Sequence, residues 1–202
     1  MEEKMAIEKI RNAVEIATKK IILLNDQDNI NEGVKYFSQN EHQLNAMIYH
    51  EMLLGGYFSF NDIRMESNYV GSNERVDFEI DDIFNSNNED EVFFMEVKQV
   101  RYAYEKESKD LPEVITSIFS DVTKLQKDIN SEGRFPMVPV MIIVNLTRYP
   151  ANYSDYKPMN IIINHLKKLL LNGEYSDKFT FIISDIARAI AITAGEIKRY
   201  KE

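Results

Sequence analysis

The chain has 202 residues, of which 44% are hydrophobic and 28% charged, a composition typical of a globular domain with a full core. It contains no cysteine and only three histidines, which excludes disulfides and thiolate zinc sites. The net charge is −9, from 24 basic and 33 acidic residues. That balance counts against a high-affinity, non-specific nucleic-acid binder, because such proteins are basic where they touch phosphate. We expect a single domain spanning residues 1–202.

Neither the N-terminus nor the apolar runs suggest a membrane or secreted protein. Met1-Glu2-Glu3-Lys4 does not begin a basic leader followed by an apolar segment, as a signal peptide would. The longest apolar stretches, such as 138–144, are too short to cross a bilayer,. We therefore expect a cytoplasmic protein without a membrane partner.

The spacing of apolar residues predicts the secondary structure, since gaps of three and four indicate helices and alternation indicates strands. In the strand predicted at 75–80, Val76, Phe78 and Ile80 are expected on one side, with Asp77 and Glu79 on the other,. The order of elements predicts an α/β fold with a mixed central sheet flanked by helices on both faces. In chain order, the predicted elements are a helix at 2–24, a helix at 40–54, a strand within 57–70, strands at 75–80 and 92–100, a helix at 112–129, a strand at 138–144, a helix at 160–171, a strand at 179–184 and a helix at 185–200.

Three charged residues interrupt the apolar pattern of two neighbouring predicted strands. Glu96 and Lys98 lie two residues apart in the strand 92–100, so both side chains face the same side. Asp77 interrupts the preceding strand in the same way. Burying such charges is costly unless they are paired or bind an ion. If the two strands pair with Asp77 close to Glu96, two carboxylates and one ammonium group converge.

This convergence suits a divalent cation such as Mg²⁺, which prefers oxygen ligands and keeps several waters. A lysine beside an attacking water could orient it and stabilise the negative charge that develops on a phosphorane. A structural interpretation fits the same residues: Glu96 and Lys98 form an ion pair on a half-exposed strand face, and Asp77 is a solvated residue near a turn.

The segment Arg75-Val76-Asp77-Phe78-Glu79-Ile80, followed by a loop and by Phe93-Phe94-Met95-Glu96-Val97-Lys98, resembles the motif of the PD-(D/E)XK nuclease superfamily. Members of that superfamily have a restriction-endonuclease-like fold, with Asp on one strand of a hairpin and Glu/Asp-Xaa-Lys on the next. The resemblance covers about 40–145, leaving the first helix and a C-terminal αβα extension outside it.

The resemblance implies that Asp77 and Glu96 are metal ligands, that Val97 lends its backbone carbonyl, and that Lys98 positions the attacking water. Many members also use a glutamate from the helix before the hairpin. Glu41 and Glu51 are both candidates, and we favour Glu41, although an acid in the first turn of a helix is also explained by the helix dipole.

Other charged residues have weaker functional interpretations. Glu79 lies on the same predicted side as Asp77, but a solvated position on the strand explains it better than metal binding. Lys124 and Lys127 could touch phosphate from the helix 112–129. The remaining cations that could form a basic rim are Arg101, Lys106, Lys109, Arg134 and Arg148.

The resemblance thus implies a Mg²⁺- or Mn²⁺-dependent nuclease that hydrolyses DNA by direct attack of water, as a homodimer or with a partner protein. One alternative is a catalytically inactive binding or scaffold protein of the same fold, which the acidic balance favours. A third is an acidic protein that mimics nucleic acid. We expect Mg²⁺ or Mn²⁺ to stabilise the fold if the site is intact, because a ligand of the native state raises its stability.

Overall fold

The fold is taken from a computed structural model of the chain. It describes residues 2–28, 41–68, 75–81, 92–100, 110–129, 137–146, 158–185 and 187–201.

Within the described residues, six strands form one mixed sheet whose spatial order follows the chain order, β1 to β6. The two central contacts, β3 with β4 and β4 with β5, are parallel. The outer contacts, β1 with β2, β2 with β3 and β5 with β6, are antiparallel. The strands are β1 (Ile63–Asn68), β2 (Arg75–Asp81), β3 (Val92–Val100), β4 (Met137–Asn145), β5 (Thr180–Ser184) and β6 (Ala189–Thr193).

Helices cover both faces of this sheet. One core cluster joins α1 and α2 to side chains such as Phe93, Met95 and Ile142. A second cluster joins α3, α4 and α5 to the opposite face, through side chains such as Phe94 and Met141. The helices are α1 (Glu2–Asp28), α2 (Glu41–Leu54), α3 (Asp110–Ile129), α4 (Pro158–Asn172) and α5 (Ala194–Arg199). The predicted α/β class and the mixed sheet with helices on both faces are confirmed.

In the ranges of the chain that the structure describes, no helix combines the length and the apolar character needed to span a membrane.

The predicted helix at 185–200 is wrong, because its first half contains a strand. β6 runs antiparallel to β5, with Ala189 opposite Ser184 and Thr193 opposite Thr180. Only Ala194–Arg199 is helical, and Thr193 caps it in a capping box with Glu196. The C-terminal extension is therefore α4, β5, β6 and α5 rather than αβα. The pair Thr193 and Glu196 has the spacing of a capping box, and that spacing in the sequence could have located the start of the helix.

Candidate active site

The pairing of β2 with its neighbours is interrupted at Asp77. The register between β1 and β2 runs from Ile63 opposite Ile80 to Met65 opposite Phe78, and it resumes with Ser67 opposite Val76. Glu66, which would face Asp77, has a φ of 53°, in the left-handed region that costs a non-glycine residue ~1–2 kcal/mol. On the other side, the register between β2 and β3 ends at Phe78 opposite Met95. Asp77 therefore lies where both ladders are interrupted.

The alternation predicted for β2 is broken at the same residue. Phe78 and Ile80 pack in the cluster under α1 and α2, as expected for side chains on one face. Val76 instead packs in the cluster under α3 and α4. The prediction that all three share one side is wrong, because the strand is irregular at Asp77. Irregularities of this kind are enriched at functional sites.

The Asp77 carboxylate replaces the missing strand pairing with two side-chain hydrogen bonds. Its Oδ2 accepts from the backbone N–H of Val97 at 2.7 Å. Its Oδ1 accepts from Nδ2 of Asn45, on α2, at 2.8 Å. Both donors are neutral amide groups, so these bonds hold the carboxylate in place without balancing its charge. The contact with Val97 also brings Asp77 to the peptide bond that follows Glu96.

The helix residue that contacts Asp77 is Asn45, which the sequence analysis did not single out. Glu41 begins α2 one turn earlier, but its side chain lies outside the described residues, so its role stays a prediction.

Glu51 is buried and accepts a hydrogen bond from Lys20 of α1 at 2.7 Å. Burial acts to raise the pKa of Glu51, yet bonds from Lys20 and His50 outweigh it and lower that pKa. Glu51 is thus part of the contact between α1 and α2.

Glu96 and Lys98 occupy the central strand β3. Glu96 is only 6% exposed and lies opposite Met141 of β4. The Lys98 side chain is 21% exposed, and its Nζ lies 3.0 Å from Oδ2 of Asp121 on α3. Lys124 approaches the other oxygen of Asp121 at 3.3 Å. Asp121 therefore lies between two ammonium groups, and it is the second residue of this region that the sequence analysis missed.

Glu79, for which the sequence favoured a solvated position, pairs instead with an arginine of the neighbouring strand. It faces Arg64 across the β1–β2 pairing, and the two side chains form an ion pair. Arg64 also binds Asp81 at 2.6 Å.

Of the lysines considered for phosphate contacts, Lys124 pairs with Asp121 as above, and the side chain of Lys127 lies outside the described residues. The five candidates for a basic rim also lie outside the described residues; they are Arg101, Lys106, Lys109, Arg134 and Arg148.

Both atoms that contact the Asp77 carboxylate are nitrogens, but the Asn45 amide also carries an oxygen, Oδ1, and hard cations bind oxygens. Within the described part of the chain, no three His, Cys, Asp or Glu side chains gather as a group that could hold a metal. A cation here would therefore need an amide or backbone oxygen besides the carboxylates of Asp77 and Glu96, and Mg²⁺ and Ca²⁺ sites use such oxygens. One is present: Oδ1 of Asn45 is buried and accepts no hydrogen bond from the described residues.

Comparisons with protein-family models, with characterised proteins and with solved structures find no match for this chain. The functional interpretation consequently depends on the residues and their geometry.

Proposed function

We propose that the chain is a metal-dependent nuclease of restriction-endonuclease-like fold, which hydrolyses phosphodiester bonds of DNA by attack of water. The observation that carries the proposal is the position of the Asp77 carboxylate, held between interrupted strands at the Glu96–Val97 peptide. A carboxylate held in this way, beside the Glu-Xaa-Lys segment of the adjacent strand, suits phosphoryl chemistry with a hard cation.

In this proposal, Asp77 and Glu96 hold Mg²⁺ or Mn²⁺, with Val97 lending its carbonyl and Glu41 remaining a candidate from α2. The cation supplies Lewis acidity at a phosphoryl oxygen and at the attacking water when it is bound. The bonds from Asn45 and Val97 keep the Asp77 carboxylate in one orientation. Such preorganisation avoids reorganising the site during the reaction.

Lys98 has the role of orienting water and stabilising charge on the phosphorane. Its ammonium group is held 3.0 Å from Asp121, on the α3 side of β3. The ion pair with Asp121 holds Lys98 in position for this role.

The test is a cleavage assay on plasmid and single-stranded DNA with Mg²⁺ or Mn²⁺. Lys98→Ala should lower the rate by about 10²–10³-fold, as removal of one charge-stabilising donor does in other enzymes. Asp77→Asn, which keeps an acceptor for Val97, should abolish cleavage. Lys20→Ala is the matched control, since Lys20 also pairs with a buried carboxylate, Glu51, but outside the site.

A second function, a nuclease-fold binding or scaffold protein without catalysis, is favoured by the pairing of the cations around β1 and β2. Arg64 pairs with Glu79 and Asp81, and Arg75 pairs with Glu66 at 2.9 Å. These pairs reduce the positive charge that a phosphate backbone would meet. Wild-type protein that cleaves neither substrate, and whose melting temperature does not respond to either cation, would replace the catalytic proposal with this one.

A further inference from the structure

Asn45 combines deep burial with an unused hydrogen-bond acceptor. It lies on α2 and is only 3% exposed. Its Nδ2 donates to Asp77 at 2.8 Å, while its Oδ1 accepts no hydrogen bond from the described residues. Leaving a buried acceptor unsatisfied costs ~1–3 kcal/mol, and such groups in native proteins often mark an ion, a water or a functional role.

The orientation of the Asn45 amide is fixed by its neighbour. An ionised carboxylate only accepts hydrogen bonds, so the NH₂ group must face Asp77. Rotating the amide by 180° would place two acceptors against each other and would leave the NH₂ group unpaired. The unused atom is therefore the oxygen, which is the atom that a cation binds.

We infer that Asn45 Oδ1 is an oxygen ligand of the cation that Asp77 binds. This inference rests on the proposed function and specifies the contribution of α2 to it. Amide oxygens are ordinary ligands of hard cations. An asparagine has an advantage here, because one end of the amide orients Asp77 while the other end contributes an oxygen without a second negative charge. In the cation-free protein, a carboxylate at residue 45 would instead place two acceptors side by side.

The experiment is calorimetric titration of Mn²⁺ into the cation-free protein, with the melting temperature of each variant measured alongside. Asn45→Leu keeps the shape of the side chain and removes both polar groups. We expect its Mn²⁺ affinity to fall by about 10–100-fold, or more, since even outer-shell partners of metal sites have effects of that size. Asn45→Asp restores the oxygen with a charge, and its affinity should equal or exceed that of the wild type.

Asn160→Leu is the matched control. Asn160 is a partly buried asparagine on α4 whose Oδ1 accepts from the Tyr200 hydroxyl at 3.0 Å, away from the site. Its loss should lower the melting temperature without changing Mn²⁺ affinity.

Three outcomes overturn the inference in different ways. Wild-type affinity in Asn45→Leu would assign the oxygen a structural role, such as binding a buried water. Loss of affinity in both Asn45 variants would show that Asn45 acts only as a donor that holds Asp77. A wild-type protein that binds no Mn²⁺ would remove the proposed cation site itself, and the inference would fail with it.

Discussion

Glu15 and Asp77 each bind a backbone amide of the sheet, and their surroundings differ. At the β6 edge, Glu15 of α1 accepts from the N–H of Ala189 at 3.0 Å, and Arg11 donates to the carbonyl of the same residue at 3.1 Å. Between β2 and β3, Asp77 accepts from the N–H of Val97. Both carboxylates thus satisfy backbone donors that have no strand partner.

The difference lies in charge and in backbone regularity. Glu15 is flanked by Arg11 and Lys19, which form ion pairs with it, and β6 is regularly paired with β5 along its length. The bonds to Asp77 come from neutral amides, next to a residue with left-handed φ, Glu66. The Glu15 arrangement balances its charge and closes an edge of the sheet, whereas the two bonds to Asp77 come from neutral donors and leave its charge for the cation that we propose.

Removing the Asp77 carboxylate should have the larger effect on stability. Asp77→Ala leaves the Val97 N–H and the Asn45 NH₂ group without their acceptor, at ~1–3 kcal/mol each, so we expect a loss of about 2–6 kcal/mol. Glu15→Ala at the β6 edge, where the Glu15 side chain is 23% exposed, should cost about 1 kcal/mol. Urea unfolding of both variants gives the comparison. Equal losses would show that the two carboxylates are equivalent structural supports.

Asp121 should matter for catalysis more than for binding. Asp121→Asn removes the charge that lies 3.0 Å from the Lys98 ammonium, and kcat for DNA cleavage should fall by about 10-fold, in the range known for outer-shell partners. KM should stay within about 2-fold, because Asp121 acts on Lys98 and does not touch substrate. A variant with unchanged kcat, or with a change confined to KM, would contradict this role.

The irregular backbone opposite Asp77 predicts an unusual response to glycine. Glu66→Gly should stabilise the fold by up to about 1 kcal/mol, since glycine adopts a φ of 53° without the penalty of ~1–2 kcal/mol. Its exposed ion pairs with His42 and Arg75 contribute little,. Ser67→Gly, at the next residue of the same strand, should destabilise by about 0.5–1 kcal/mol. Chemical unfolding that shows the same sign for both variants would refute the assignment of strain to Glu66.

The smallest effect concerns pH at the β6 edge. The hydrogen bond from Lys19, with further bonds from Ala189 and Arg11, lowers the pKa of Glu15 from its ordinary 4.5 despite partial burial. Because the folded-state pKa is depressed, the stabilisation is present above pH 4.5 and is lost as the pH falls through the folded-state value. Glu15→Gln should therefore cost about 0.5–1 kcal/mol at pH 7. Thermal unfolding should show this difference vanishing in acid, and a difference that persists there would contradict the assignment.

Periodicity in the sequence was sufficient to predict most of the fold. Strands such as Arg75–Asp81 and Val92–Val100 are recognisable in the sequence because their buried positions are occupied mainly by apolar residues,. The strand at Ala189–Thr193 was missed, because alanine-rich segments suit helices and the pairing with β5 overrides that preference,.

The candidate site was predictable only in part. Asp77, Glu96 and Lys98 stand out because charge interrupts apolar strands. Asn45 and Asp121 carry no such signal, since an asparagine or aspartate on a helix is ordinary until its tertiary neighbour is known. The irregularity at Asp77, which moves Val76 to the other face, arises from contacts between elements and has no local pattern in the sequence.

The most direct test of the account is paramagnetic broadening of amide resonances by Mn²⁺, which compares the two carboxylates in one experiment. At sub-stoichiometric Mn²⁺, the Val97 amide and the Asn45 side-chain NH₂ should broaden beyond detection, while the Ala189 amide bound to Glu15 stays sharp. Asp77→Asn should remove the broadening. Selective broadening at Ala189, or none at Val97 in the wild type, would contradict the claim that Asp77 marks a cation site.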